Sequence, residues 1–208
     1  MDFAMPALMA CTLLLSFSSA AAQDRMPPIP ADKMTEAQKK AAAEIIAGPR
    51  GQLVGPFIPL LRSPEFMSRL QKTGEYLRYN SKLGSRLNEF VILVTARLWT
   101  QQFEWTTHEA LALKAGVKQE IIDAVRAGRR PTGTDADQEI AYDFLMELHH
   151  NQSVSDDTYG RALSKFGEQG VIDLVGVTGY YTMLAMIMNV ARTPLPQGQQ
   201  PPLSSFPH

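Results

Sequence analysis

Apolar residues recur at three- and four-residue steps along most of this sequence, and this period constrains the fold more than any other feature. After Ser85, for example, apolar side chains follow one face of an α-helix, at Leu87, Phe90, Val91, Val94 and Leu98. No segment shows a convincing alternation of apolar and polar residues, which is typical of a β-strand. The sequence therefore predicts an all-α domain.

Capping and breaking residues divide the periodic segments into individual helices. Thr35-Glu36-Ala37-Gln38 has the pattern of a capping box and predicts a helix that ends near Ala47, before Gly48-Pro49. The many Gly and Pro residues of segment 48–62 predict a loop. Further helices are predicted from Ser63 to about Asn80, from Ser85 to near Leu98, from about Gln101 to Ala115, from Lys118 to Ala127, from about Asp135 to His150, from Ser155 to Phe166 and from about Glu168 to Ala191.

The last of these helices is almost wholly apolar. It is therefore expected to be central in the domain or to lie at a subunit interface. Its Gly176 and Gly179 lie three residues apart, which would let another helix approach closely.

Composition limits the classes of partner. The 208 residues are 45% hydrophobic, enough for one domain that needs no metal or disulfide to stabilise it. Basic and acidic residues are nearly balanced, 20 against 21, and the only Lys/Arg cluster is the pair Arg129-Arg130. The charge distribution expected of a nucleic-acid-binding protein is therefore absent from the sequence.

Both ends of the sequence differ in composition from the middle. Residues 1–22 have the layout of a secretory signal, with a small-residue run that predicts cleavage after Ala22. Their apolar stretch is shorter than the roughly 20 residues of a spanning helix, so no stable membrane insertion is expected after cleavage. An alternative is lipidation at Cys11, the only cysteine. Either way the protein is expected to be exported, to the periplasm or the exterior.

The chain after residue 22 divides into three parts. Residues 23–34 form a Pro-rich lead-in, residues 35–192 the helical domain, and residues 193–208 a Pro- and Gln-rich tail that is expected to be disordered.

Three polar residues interrupt the apolar helices in the middle of the chain: Glu89, Glu104 and His108. Glu104 and His108 lie four residues apart, on one helix face, where the carboxylate could accept from the imidazole and fix its tautomer. An unbroken helix would hold Glu89 about 22 Å from Glu104. Glu89 therefore joins the pair only if the chain folds back near Trp99-Thr100 or a neighbouring subunit supplies it. The group would then suit proton transfer near neutral pH.

Two other interpretations of these residues remain open from spacing alone. Glu104 and His108 could be an ordinary surface pair on an amphipathic helix. All three residues could bind a divalent metal ion, although no metal-ligand motif supports this.

Two segments carry a resemblance to a known family. Residues 88–93 (NEFVIL), followed by residues 103–112 (FEWTTHEALA) and 114–117 (KAGV), resemble the carboxymuconolactone decarboxylase family, which shares an all-helical fold with the alkyl hydroperoxidase D proteins. The resemblance covers about residues 50–196. It implies a helical bundle of the alkyl hydroperoxidase D-like type, with about seven or eight helices, and a homo-oligomer, a trimer or hexamer.

The departure from the peroxidase branch of that family bears on the chemistry. That branch carries a Glu, two Cys and a His at spacings that fall here on Glu89, Gln101, Glu104 and His108, so both sulfurs are absent. A thiol peroxidase needs a thiolate and a resolving thiol. The resemblance therefore implies the decarboxylase side of the family, with a small carboxylated lactone or related acid as substrate and no cofactor.

The resemblance also implies roles for individual residues. His108 would move the proton at the carbon that loses CO2, Glu104 would orient it, and Glu89 would be a second acid/base or orienting group. Arg97 is a candidate for binding the substrate carboxylate, because a guanidinium matches a carboxylate bidentately. Gln101 and Trp105 are the other expected substrate-binding residues. The alternatives are a non-catalytic binding or assembly member of the family, or residual peroxiredoxin activity that its residues do not support.

Overall fold

The computed structural model describes residues 23–204, and this part of the chain is all-helical without a β-strand. The all-α prediction is thus confirmed, with eight α-helices and one short 3-10 turn at Ala31–Lys33. The predicted signal, including Cys11, lies outside the described residues. The helices are α1 Glu36–Ala47, α2 Phe57–Leu60, α3 Pro64–Tyr79, α4 Gly84–Leu98, α5 Gln102–Lys114, α6 Gln119–Arg126, α7 Ala136–Asn151 and α8 Asp156–Ala191.

Most helix ends follow the capping residues of the sequence. The Thr35–Gln38 capping box is present at the start of α1, and a second box joins Asp135 and Gln138 at the start of α7. Helix α4 is an exception. Its first residue is Gly84, whose positive φ of 73° sets the chain direction before Ser85, so Ser85 is not the cap.

Two other boundaries differ from the prediction or refine it. The expected loop 48–62 contains the short helix α2, which buries Phe57 and Leu60 against the domain. The two helices predicted on either side of residue 167 are joined as α8, but Gly167 has non-helical angles (φ 68°, ψ 174°) and separates them. Glycine tolerates this backbone geometry, which other residues rarely adopt.

Helix α4, rather than the last helix, occupies the centre of the domain. Its residues 87–97 are all buried, and it packs against α3, α5, α6, α7 and α8. Helix α8 buries only one face. Its other face exposes a stripe of apolar side chains, Ile172, Val175, Met183, Met186 and Val190.

Helix α8 is also the one helix among residues 23–204 that is long and apolar enough to cross a membrane by length and composition. Core helices of soluble proteins pass the same test, and 56% of its most apolar window is buried inside the domain. Gly176 lets α8 approach α3, since a Cβ there would lie 2.8 Å from Leu77 Cδ2. Gly179 instead has no neighbouring atom within 4 Å and lies on the open face.

The Pro-rich tail contacts the domain at its last described residues, 203 and 204. Leu203 is buried, its N–H donates to Gln102 Oε1 (2.9 Å) and its carbonyl accepts from Gln102 Nε2 (2.7 Å). The Ser204 carbonyl accepts from Arg97 at 3.0 Å. Gln102 and Arg97 therefore hold residues 203 and 204 against the domain by satisfying their backbone groups, and disorder of the tail stays a prediction.

Candidate active site

A left-handed turn folds α5 back along α4. Thr100, between the two helices, has a φ of 47°, and the Gln101 N–H bonds to the Ala96 carbonyl at 2.8 Å, which closes the end of α4. The Gln101 side chain then caps α5 by accepting from the Glu104 N–H at 3.1 Å. This turn meets the condition, set out above, for Glu89 to join the other two polar residues within one chain.

Glu89 and His108 form a direct pair across the α4–α5 hairpin. His108 Nδ1 lies 2.6 Å from Glu89 Oε2, and both side chains are buried. Because a carboxylate only accepts, Nδ1 carries the proton and donates it, which leaves the lone pair on Nε2. Glu89, which reaches His108 from the facing helix, therefore makes the contact with the imidazole that was predicted for Glu104.

Glu104 lies in a different environment from Glu89. Its side chain is buried and borders a cavity, and its Oε2 has no hydrogen-bond partner among the described residues. Burial raises the pKa of Glu104 well above its ordinary value, although the nearby Arg50 guanidinium opposes this. Glu104 is thus a carboxyl group that tends to hold its proton.

Burial also keeps His108 in its neutral form. Removal from water lowers the pKa of His108, and the opposing effect of its bond to Glu89 does not cancel this. The positive charges of Arg78 and Arg50 lower the pKa further. The site therefore pairs a neutral imidazole with a carboxyl that favours its protonated form, an arrangement suited to proton transfer.

His108 and Glu104 border a cavity of about 420 Å³ between α5, α8 and the loop before α3. Two guanidiniums, those of Arg50 and Arg78, also border it. Within residues 23–204 neither forms an ion pair; Arg50 donates to Tyr180 Oη at 3.2 Å and lies over the Phe57 ring, and Arg78 lies over the Tyr79 ring. The remaining lining is largely apolar: Val54, Phe57, Phe103, Leu111, Leu184 and Met188.

Sequence reasoning did not identify these two arginines. Arg50 lies in the Gly/Pro-rich segment and Arg78 near the end of α3, so no shared period connects them to His108. An arginine in an otherwise breaker-rich loop was the only local signal.

The three residues predicted to bind substrate do not border this cavity. Arg97 is buried on the other side of α4 and binds the chain near Ser204. Gln101 caps α5 and donates to Asn189 Oδ1 (3.0 Å). Trp105 is fully buried, and its Nε1 donates to Glu109. These side chains instead support the hairpin that carries His108, and their contact with a substrate stays a prediction.

The metal interpretation receives no geometric support. In the part of the chain that the structure describes, no three His, Cys, Asp or Glu side chains converge as metal ligands would. Glu89 is bonded to His108, whereas Glu104 borders the cavity.

Comparison with known proteins gives one family. Residues 64–142 match the model of the carboxymuconolactone decarboxylase family. The match confirms the resemblance predicted above over a shorter segment, which includes Arg78, Glu89, Glu104 and His108 and leaves out Arg50 and all of α8. No curated protein matches the chain.

Proposed function

We propose that the protein is a cofactor-independent acid/base enzyme, because residues 64–142 match the model of the carboxymuconolactone decarboxylase family. Its reaction is the removal of CO2 from a small carboxylated lactone or a related acid. The observation that supports this most is the 2.6 Å bond between His108 and Glu89, at the edge of a cavity that Glu104 also borders.

The proton for the reaction comes from the Glu104 and His108 pair. Loss of CO2 leaves an electron pair on the substrate, and one proton must then reach carbon. Burial raises the pKa of Glu104 and so favours its protonated form, and His108 Nε2 passes the proton to the carbon while Glu89 holds the ring. Glu104 regains a proton from solvent before the next turnover.

Arg50 and Arg78 replace Arg97 as the groups that bind the substrate carboxylate. Both border the cavity and lack an acidic partner in the described chain, so their charge is available to an anion. The apolar lining suits the ring of a small lactone and excludes water from the developing charge.

Two alternatives have less support. A purely structural role does not account for Glu104, because burying a carboxyl oxygen without a partner destabilises a fold. Thiol peroxidase chemistry lacks its nucleophile, since Cys11 is the only cysteine and Gln101 is a helix cap.

The test is a screen of carboxylated five-membered lactones and β-keto acids, with CO2 release as the measurement. His108→Ala should lose about a hundred- to ten-thousandfold in rate, whereas His150→Ala, on the exposed end of α7, should keep full activity. The double variant His108→Ala with Glu104→Gln should be little worse than His108→Ala alone, because the two groups act as one unit. Activity that survives in His108→Ala would contradict the proposal.

We also infer that the protein is exported, from the sequence of residues 1–22. Expression of the full chain in a bacterial host with a periplasm, followed by N-terminal sequencing of the periplasmic protein, should give Gln23 as the first residue. A cytoplasmic protein that keeps Met1 would contradict export.

A further inference from the structure

Tyr181, on α8, lies against the catalytic histidine of the proposed site. Its ring meets the His108 ring edge to face, with centroids 5.1 Å apart and an interplanar angle of 86°. It borders the same cavity, although only 2% of its surface is exposed.

The two adjacent tyrosines differ in how their hydroxyls are satisfied. The Tyr180 hydroxyl accepts a hydrogen bond from Arg50. The Tyr181 hydroxyl has no partner among the described residues, although it is buried. A buried hydroxyl without a partner is destabilising, and such groups in native proteins call for an explanation.

We propose that Tyr181 is a further catalytic residue, whose hydroxyl donates a hydrogen bond to the substrate oxygen that becomes negative when CO2 leaves. This rests on the proposed decarboxylation. As the bond between carbon and the departing carboxylate breaks, its electron pair moves through the conjugated system onto the lactone or keto carbonyl oxygen. The hydroxyl then stabilises this enolate. When a proton from the Glu104 and His108 pair reaches carbon, the electron pair returns from oxygen to form the new carbon–hydrogen bond. The net change is uptake of one proton and release of CO2.

The environment of Tyr181 fits a hydrogen-bond donor that keeps its own proton. Burial raises the pKa of Tyr181 above its ordinary value, and the carboxyls of Glu104 and Glu89 act in the same direction against the opposing charges of Arg78 and Arg50. The phenol therefore stays protonated across the working pH range. Its hydrogen bond is unmade before substrate arrives, so it can be formed as charge develops on the oxygen, which is the condition for transition-state stabilisation.

The first test is Tyr181→Phe, which removes one oxygen and keeps the ring against His108. With a substrate that the wild type turns over, kcat should fall about a hundred- to thousandfold, the effect of one oxyanion donor, while KM changes little. Tyr142→Phe, a core tyrosine outside the cavity, should keep the wild-type kcat. An unchanged kcat in Tyr181→Phe overturns the inference and leaves the proposed function intact, whereas an inactive wild type overturns the proposed function itself.

A second measurement separates catalysis from structure. Since the Tyr181 hydroxyl lacks a partner in the described chain, Tyr181→Phe should have a Tm equal to or above that of the wild type. A lower Tm would show that the hydroxyl forms a stabilising hydrogen bond within the protein, and this would overturn the inference. Tetronic acid, a five-membered lactone that is a stable enolate near neutral pH, serves as the probe. Tyr181→Phe should bind it at least about tenfold more weakly, in line with a lost charge-assisted hydrogen bond; equal affinity would count against the proposal.

Discussion

At the scale of single residues, the two carboxyl groups beside His108 differ in what they contact. Glu89 accepts a short hydrogen bond from Nδ1, whereas Glu104 has an oxygen without a partner and a raised pKa. Environments that separate two neighbouring acids in this way commonly separate their roles as well. We therefore propose that Glu89 orients the imidazole and that Glu104 stores the proton.

Glu89→Gln should reduce kcat about a hundredfold or more, because a glutamine amide can donate to Nδ1 as well as accept from it and so no longer fixes the tautomer of His108. The pKa of His108 should also fall, since the bond and charge of Glu89 act to raise it. NMR titration of the His108 ring measures the second effect, and Glu139→Gln, on the exposed side of α7, is the control for removing one carboxylate. A His108 titration that is the same in Glu89→Gln and in the wild type would contradict the assigned contact.

Glu104→Gln should stabilise the fold while it removes activity. In the wild type the pKa of Glu104 is higher in the folded state than in the unfolded chain. Protonated Glu104 therefore contributes its full stability at any pH below the pKa of the unfolded chain. This contribution is lost as the pH rises through the pKa of the folded state. Glutamine resembles the protonated acid and does not titrate. The Tm of the variant should therefore exceed that of the wild type near neutral pH, and the difference should shrink in acid. Thermal unfolding across that pH range tests this, and a constant difference would argue against a raised pKa.

Residues of this site differ in how far sequence alone could identify them. His108 and Glu104 stand out because they are polar residues in an apolar helix and share one face. The contact of Glu89 depends on the turn at Thr100, whose positive φ no side-chain pattern predicts for a β-branched residue. Arg50 and Arg78 come together only through the packing of the loop before α3, so no local pattern could place them.

At the scale of elements, the α4–α5 hairpin depends on Thr100. A threonine in the left-handed region costs about 1–2 kcal/mol relative to its preferred conformations. Thr100→Gly removes this cost, although glycine loses more entropy on folding than threonine does. The net result should be a rise of about 1 kcal/mol in the free energy of unfolding. Chemical denaturation measures this change.

The control for this variant is Thr106→Gly, in the regular part of α5, which should destabilise the fold because glycine disfavours a helix. A Thr100→Gly variant that is less stable than the wild type would show that another contact of Thr100 outweighs the backbone strain.

The elements themselves follow local chemistry closely where caps are present. Thr35, Asp135 and Ser155 each begin a helix by accepting from a backbone N–H three residues on. Which helix would be central was not predictable in the same way. Helix α8 is the more apolar, but α4 is covered on all sides because five helices pack against it.

At the scale of the whole molecule, we propose that the exposed stripe of α8 is covered by other copies of this chain in a trimer or hexamer. Ile172 is 69% exposed and Val190 58%, and the stripe runs between these two residues, along the part of α8 that follows Gly167. A single subunit leaves this apolar surface in water, which favours association.

Ile172→Glu combined with Met186→Glu should dissociate the oligomer, because burying unpaired carboxylates between subunits is unfavourable. Light scattering with size-exclusion chromatography measures the mass. Ile46→Glu, at an exposed apolar position on α1, should leave the mass unchanged. A wild-type protein that is monomeric at micromolar concentration would contradict the proposed assembly.

The contact between Gln102 and Leu203 has a consequence for how the chain acquires its structure during synthesis. The two residues are 101 positions apart, and every other described element leaves the ribosome before residues 201–204 do. The Gln102 side chain, at the N-terminal end of α5, can therefore bond to Leu203 only when translation of the domain is almost complete. A chain that ends just short of residue 201 would contain the residues of all eight helices and still lack the contact of Leu203 with Gln102 at the start of the hairpin of His108.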